Sequence, residues 1–145
     1  MGRLSEVFHD DHERWERALT EVGRRVATGE WEPALIDFAP FREGIEKHMT
    51  VEEQCLFPAL DAHGGPASIA LTEILRKGHR DLRIFFDELQ EVIATHDEEE
   101  FRQIEATMRA LLHRHDEKEE TELYPAVELQ LGDEGATAIA RLTGR

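Results

Sequence analysis

Apolar residues recur every three or four positions through most of this chain, the spacing of one buried stripe on an amphipathic helix. Phe8, His12, Trp15, Leu19, Val22 and Val26 form a first stripe, closed by the stop signal Thr28-Gly29. Phe41, Ile45, His48, Glu52, Leu56 and Ala59 form a second, which runs out at His63-Gly64-Gly65-Pro66. The third follows Leu71, Leu75, His79, Leu82, Phe86, Leu89 and Ile93. Asp97 with Glu100 reads as a capping box that opens the fourth, whose stripe is Met108, Leu111, Leu112, His115, Glu119 and Leu123. Four long helices with short breaks predict an all-α fold, an up-down-up-down antiparallel four-helix bundle in a single domain. Its core spans about residues 4–131, and beyond the break at Gly132-Asp133 residues 133–143 add a short C-terminal helix. Pro40 is expected to separate a lead-in segment, residues 31–39, from the main second helix. Pro58 and Pro125 lie inside helical patterns at matching places, where each removes a backbone hydrogen bond and bends its helix.

Composition narrows the possible partners. A net charge of −15 repels nucleic acid and anionic lipid. No apolar run approaches the roughly 20 residues needed to span a bilayer, and the N-terminus lacks the uninterrupted apolar stretch of a signal peptide. One cysteine, Cys55, excludes an internal disulfide, so a reducing cytoplasm is the expected location. Monomer or small homo-oligomer are both compatible with these features.

The polar members of the stripes carry the chemistry. Shifted by 67 residues, the chain matches itself: His48-Met49-Thr50-Val51-Glu52-Glu53-Gln54-Cys55-Leu56-Phe57-Pro58 falls on His115-Asp116-Glu117-Lys118-Glu119-Glu120-Thr121-Glu122-Leu123-Tyr124-Pro125, and His12 falls on His79. On a helix, residue i+4 lies about 40° around and about 6 Å along from residue i, so Glu52 shares a face with His48, and Glu119 with His115. Glu53 and Glu120 lie about 140° away from those histidines, on the flank. His12, His48, Glu52, His79, His115 and Glu119 therefore project into the bundle interior. There, unpaired imidazoles and carboxylates are penalised by several kcal/mol, or the carboxylates take up protons. Two divalent ions bridged by both glutamates would satisfy all six. One cysteine excludes a zinc finger. Nitrogen and carboxylate donors suit iron, and manganese or zinc less distinctively. His9, His63, His96 and His113 have no liganding histidine as counterpart and are expected at the surface or behind the ligands. Glu16 and its counterpart Arg83 are expected to pair beside the site, with Glu16 as an extra ligand the alternative. Cys55 and Glu122 are expected near the ligand face, Cys55 as a small core residue.

With these residues in view, the chain resembles the hemerythrin-like HHE cation-binding domain. The resemblance rests on Asp11-His12, His48-x3-Glu52-Glu53-x2-Leu56-Phe57-Pro58, Gly78-His79-x2-Leu82 and His115-x3-Glu119-Glu120-x2-Leu123-Tyr124-Pro125. It implies a four-helix bundle around a non-haem di-iron centre, oxo- or hydroxo-bridged. His12 and His48 would hold one iron, His79 and His115 the other, and Glu52 and Glu119 would bridge. Two departures stand out. Oxygen-carrying members have H-x3-H on the third helix, where this chain has Arg83 four residues after His79. They also have H-x4-D on the last helix, where this chain offers both Glu119 and Glu120. Both weigh against reversible oxygen carriage.

The expected function is a di-iron protein that binds or reacts with a small oxygen-type ligand (O2, NO or peroxide), in stress response or iron handling. If it turns over, the activity would be that of a di-iron oxidoreductase or peroxide-removing enzyme. A non-catalytic, metal-stabilised bundle acting as an interaction module is the alternative. A hydrolytic dizinc site lacks a clear general base outside the ligand set.

Overall fold

The computed structural model describes residues 2–143. Four helical rods make up the fold. The first is α1 (Arg3–Ala27); the second is α2 (Trp31–Val51) continued by α3 (Phe57–His63). The third is α4 (Gly65–Ala94), and the fourth is α5 (Glu98–Lys118) continued by α6 (Tyr124–Ala140). A 3₁₀ turn, Arg141–Thr143, follows. Gly132, with φ 74° and ψ 172°, interrupts α6 at the break the sequence marks. α1 packs along α2 and α6, α4 along α5, α2 and α3, so the all-α bundle is as expected.

The end of the first rod and the end of the third are the same device. After α1, Gly29 takes φ 75°, and the N–H of Glu30 closes back on the carbonyl of Arg25 at 2.9 Å. After α4, its counterpart His96 takes φ 59°, and the N–H of Asp97 closes on Val92 at 2.9 Å. Both are left-handed C-terminal caps, a conformation glycine adopts freely and histidine does not. The His96 ring is held by stacking on Trp31, centroids 5.1 Å apart and planes 6° apart. This histidine serves the turn. The next helix starts where expected, with the N–H of Glu100 donating to Asp97 Oδ1 at 3.1 Å.

Two expectations about proline need correction. α2 runs without a break through Pro40, so no separate lead-in segment exists. Pro40 is exposed, so the carbonyl it leaves unbonded faces water, and its fixed φ is compatible with a helix. At Pro58 and Pro125 the helices do not simply bend. Each is preceded by a π-turn, Glu52–Leu56 in the second rod and Glu119–Leu123 in the fourth. The N–H of Phe57 bonds to the Glu52 carbonyl and that of Tyr124 to the Glu119 carbonyl, five residues back. The residue after each is proline, which has no N–H to continue the ordinary four-residue ladder, so the ladder resets there. Single π-turns inside α-helices recur at functional sites.

The core is divided into two layers. One gathers Leu19, Val22, Phe38, Phe41, Leu82, Phe86, Leu89 and Met108, and the other Leu4, Phe8, Leu56, Phe57, Leu75, Leu123, Tyr124 and Val127. Along every rod the candidate ligands fall between the two sets. The polar layer is thus sealed above and below by close-packed apolar side chains. Among the described residues, no helix is long and apolar enough to cross a membrane.

Candidate metal centre

All six inward polar side chains are buried: Glu52 and His79 are 0% exposed, Glu119 1%, His48 3%, His12 6% and His115 8%. They form two groups. His12, His48, Glu52 and Glu119 offer ligand atoms within 4.8 Å of one another, and so do His79, His115, Glu52 and Glu119. Both glutamates belong to both groups.

Whether these residues fit metal is answered by their hydrogen bonding. Glu52 Oε1, His79 Nε2, His115 Nε2 and Glu119 Oε2 are buried without a hydrogen-bond partner. His79 Nε2 lies 3.0 Å from Glu52 Oε1 and His115 Nε2 lies 3.1 Å from Glu119 Oε2, near enough but not aligned as donor to acceptor. Buried polar atoms are rarely left so. Four of them, one from each member of a single group, is the arrangement expected of donors directed at a common cation. The set fits metal.

A second ring of carboxylates sets the imidazoles. His12 Nδ1 donates to Glu120 at 2.8 Å, His48 Nδ1 to Asp11 at 3.0 Å, and His79 Nδ1 to Glu53 at 2.7 Å. An ionised carboxylate only accepts, so the proton is on Nδ1 and Nε2 is turned to the centre, the arrangement typical of metal-binding histidines. Glu53 and Glu120 are therefore on the flank, as their angle predicts, and act on the outer nitrogen. The exception is His115. The position equivalent to Asp11 is Gly78, where an added Cβ would come within 2.4 Å of His115 Nδ1. Here the ring packs on the α4 backbone, and only glycine leaves room for it.

Without a cation, protons balance the charge. Burial opposes protonation of His48, yet the charge of Glu52 and the hydrogen bonds to Asp11 and Glu52 hold it up at about 9. Burial likewise opposes protonation of His79, and the carboxylates of Glu119, Glu52 and Glu53 around it lift it to about 11. Glu53 responds in the opposite sense: burial would raise it, but hydrogen bonds from His79 and Arg83 hold it at about 2. Burial, with the charge of Glu119 added, pushes Asp116 up to about 7 against the nearby His12.

Four neighbours differ from expectation. Arg83 does not pair with Glu16; it donates to Glu46 at 2.9 Å and to Glu53 at 2.7 and 3.1 Å, bracing the carboxylate that holds His79. Glu16 is exposed on α1, along the opposite wall of the bundle. Cys55 is only part-buried and Glu122 is exposed, paired with Lys118 at 2.9 Å. Neither faces the site, because the π-turn changes the angle between successive residues just before them. His9, His63, His96 and His113 lie outside the two groups. His9 bonds Glu120 from the solvent side at 2.6 Å.

Sequence reasoning missed Tyr124. Five residues beyond Glu119, it would lie about 140° away on an α-helix; the π-turn returns it to the ligand face. Its hydroxyl donates to Glu52 Oε2 at 2.6 Å and lies 3.0 Å from Glu119 Oε1, 3.1 Å from His12 Nε2 and 3.4 Å from His48 Nε2. The counterpart in the other half is Phe57, which has no hydroxyl. The signal available beforehand was the pair of matched prolines.

Because Glu53 orients His79 and is itself clamped by Arg83, Glu53→Ala should weaken metal binding by about 10- to 100-fold without removing a ligand. Competition titration against a chelator measures this; unchanged affinity would remove Glu53 from the support of the centre.

Open space lies beside the centre at His12. A groove of about 810 Å³ runs between α1 and α5, bordered by His9, Glu13, Glu16, Asp116 and Glu120, with His12 at its floor.

Comparison with known proteins agrees with the geometry. No curated protein and no solved structure matches the chain. Residues 3–127 match the hemerythrin HHE cation-binding domain. Given that match over most of its length, and the buried histidine–glutamate groups that occupy it, the chain belongs to the hemerythrin HHE cation-binding family of metal-binding helical domains.

Proposed function

We propose that this protein is a non-haem di-iron protein that binds or reacts with a small oxygen-type ligand (O2, NO or peroxide), with a role in oxidative or nitrosative stress or in iron handling. The observation that carries the proposal is the sharing of Glu52 and Glu119 between two adjacent ligand groups. Two carboxylates common to both groups would hold two cations. His12 and His48 would hold one iron, His79 and His115 the other. When bound, such a pair supplies redox-capable Lewis acids to a diatomic or peroxide ligand.

The chain's own residues prepare that chemistry. Asp11, Glu53 and Glu120 keep three imidazoles in the tautomer that turns Nε2 inward. Phe8 and Phe57 pack against His48 and His79 and exclude water from the polar layer. Arg83 occupies the position one turn after His79 and is engaged with Glu46 and Glu53, so that position contributes no further donor. With six side chains for two ions, sites for exogenous ligands remain. The groove between α1 and α5 is the route by which a small molecule reaches them.

The test is anaerobic loading with ferrous iron followed by O2, NO or peroxide, read by absorption. New near-ultraviolet charge-transfer bands are expected with at least one of the three. Iron-loaded protein that stays spectroscopically silent with all three would leave a metal-stabilised bundle whose site is saturated and inert.

A further inference from the structure

The two ligand groups are related by the sequence repeat but are not alike. Among the described residues the unpartnered imidazole nitrogens, His79 Nε2 and His115 Nε2, both belong to one group, and the unpartnered Glu52 Oε1 and Glu119 Oε2 are on the carboxylates shared by both. In the other group the corresponding atoms are engaged, and by one oxygen. Tyr124 Oη has His12 Nε2, His48 Nε2, Glu52 Oε2 and Glu119 Oε1 around it at 2.6–3.4 Å. A hydroxyl has one proton to donate and two lone pairs. Four ligand atoms around it exceed what it can satisfy, while they match the surroundings of an oxygen that shares a cation with them. The side chain is 0% exposed, so the hydroxyl cannot turn to solvent instead. Across the repeat its place is taken by Phe57, so the His79 and His115 group has no equivalent oxygen.

We propose that Tyr124 Oη is a direct ligand of the ion held by His12 and His48, so that one position of the pair has a phenolate donor and the other has none. This rests on the di-iron reading above and specifies its coordination. On binding, the O–H bond of Tyr124 breaks, the oxygen lone pair forms the bond to the metal, and the proton leaves to solvent along the groove beside Asp116; no electron is transferred. A hard anionic oxygen donor favours the ferric state. The His12 and His48 position is thus the one that holds ferric iron more tightly. The His79 and His115 position, with neither a phenolate nor a carboxylate behind His115, is the more weakly ligated.

The chain contains a single tyrosine, which makes the experiment unambiguous. Ferric-loaded protein is examined by visible absorption and resonance Raman, with iron content measured on the same sample. The expected result is a phenolate-to-iron band whose ring modes shift when the protein is grown with ring-deuterated tyrosine. Tyr124→Phe should lose the band while it keeps bound iron, with weaker retention of one ferric ion against a chelator. If this variant fails to fold, the labelled wild-type protein decides alone. Two ferric ions per chain without tyrosinate modes would overturn the ligand assignment and leave the di-iron reading intact. Protein that takes up no iron would overturn both.

Discussion

Glu119→Gln is expected to abolish binding of both metal ions, whereas His12→Ala or His115→Ala should each lose one. The difference follows from membership. Glu119 and Glu52 each belong to both ligand groups, while each histidine belongs to one. Glutamine keeps the size and one carbonyl oxygen but loses the charge and one of two donor oxygens. It therefore cannot bridge two cations, nor offset the positive charge of the imidazoles that surround it. Glu119 also contacts His12, His79 and His115 at 3.1–3.6 Å, so its neutralisation affects both halves even before metal is added. Elemental analysis of protein purified without chelator reads the outcome directly. His63→Ala and His96→Ala serve as controls that should retain full metal content, since both residues are exposed and lie outside the groups. Full two-ion content in Glu119→Gln, or loss of both ions in His12→Ala, would contradict the shared-carboxylate arrangement.

Metal-stripped protein should lose stability as pH rises above neutrality, and metal should reverse the trend. In the folded chain His48 is lifted from 6.5 to about 9 and His79 from 6.5 to about 11. A histidine whose folded value is raised contributes stability that is complete below its unfolded value and is lost as pH climbs through the folded one. The contribution is therefore full below pH 6.5 and declines through about 9 and beyond. Asp116 acts in the same direction: its carboxyl is pushed from 3.8 to about 7, and it opposes folding once it ionises. At the acid end Glu53, held at about 2 against an ordinary 4.5, contributes stability that disappears as pH falls through that interval. The stripped protein should therefore be most stable well on the acid side of neutrality, where Glu53 is ionised and Asp116 still holds its proton. It should weaken by several kcal/mol toward pH 9, since a tenfold difference in proton affinity between the folded and unfolded chain is worth about 1.4 kcal/mol. Cations compete with the same protons for the same nitrogens, so metal affinity, and with it the stability gained on loading, should increase with pH. Denaturant melts of chelator-treated and reloaded protein across this range measure both slopes. Stability of the stripped protein that is flat or rising from pH 6.5 to 9 would show that the buried histidines are not protonated by their carboxylate neighbours.

Much of the architecture could be read from spacing, because apolar periodicity and helix stops are local. The helix boundaries at Thr28-Gly29, His63-Gly64, Asp97 and Gly132 all fall where the chain signals them. The convergence of His12, His48, Glu52, His79, His115 and Glu119 was readable for the same reason, since i+4 neighbours share a face whatever the helix packs against. Residues beyond the first turn of the motif were less accessible. An ideal helix places Cys55 and Glu122 near the site and Tyr124 away from it, and the π-turns reverse both placements. Arg83 illustrates another limit. Its place in the repeat opposite Glu16 suggested a pair, yet the two side chains lie on different walls, and a side chain finds a partner by distance in space.

The residue order by itself determined the bundle, its duplicated half, the inward direction of six polar side chains and membership of a metal-binding family. These depend on helical periodicity and on motif identity, which a linear chain carries in full. Only the tertiary structure decided which carboxylate sets which imidazole, that the two unpartnered imidazole nitrogens are those of His79 and His115, and that a single tyrosine hydroxyl lies against the imidazoles of His12 and His48. Those features depend on how four rods are rotated against one another and on one extra residue per π-turn, and a rotation of that kind is fixed by packing between segments far apart in the chain.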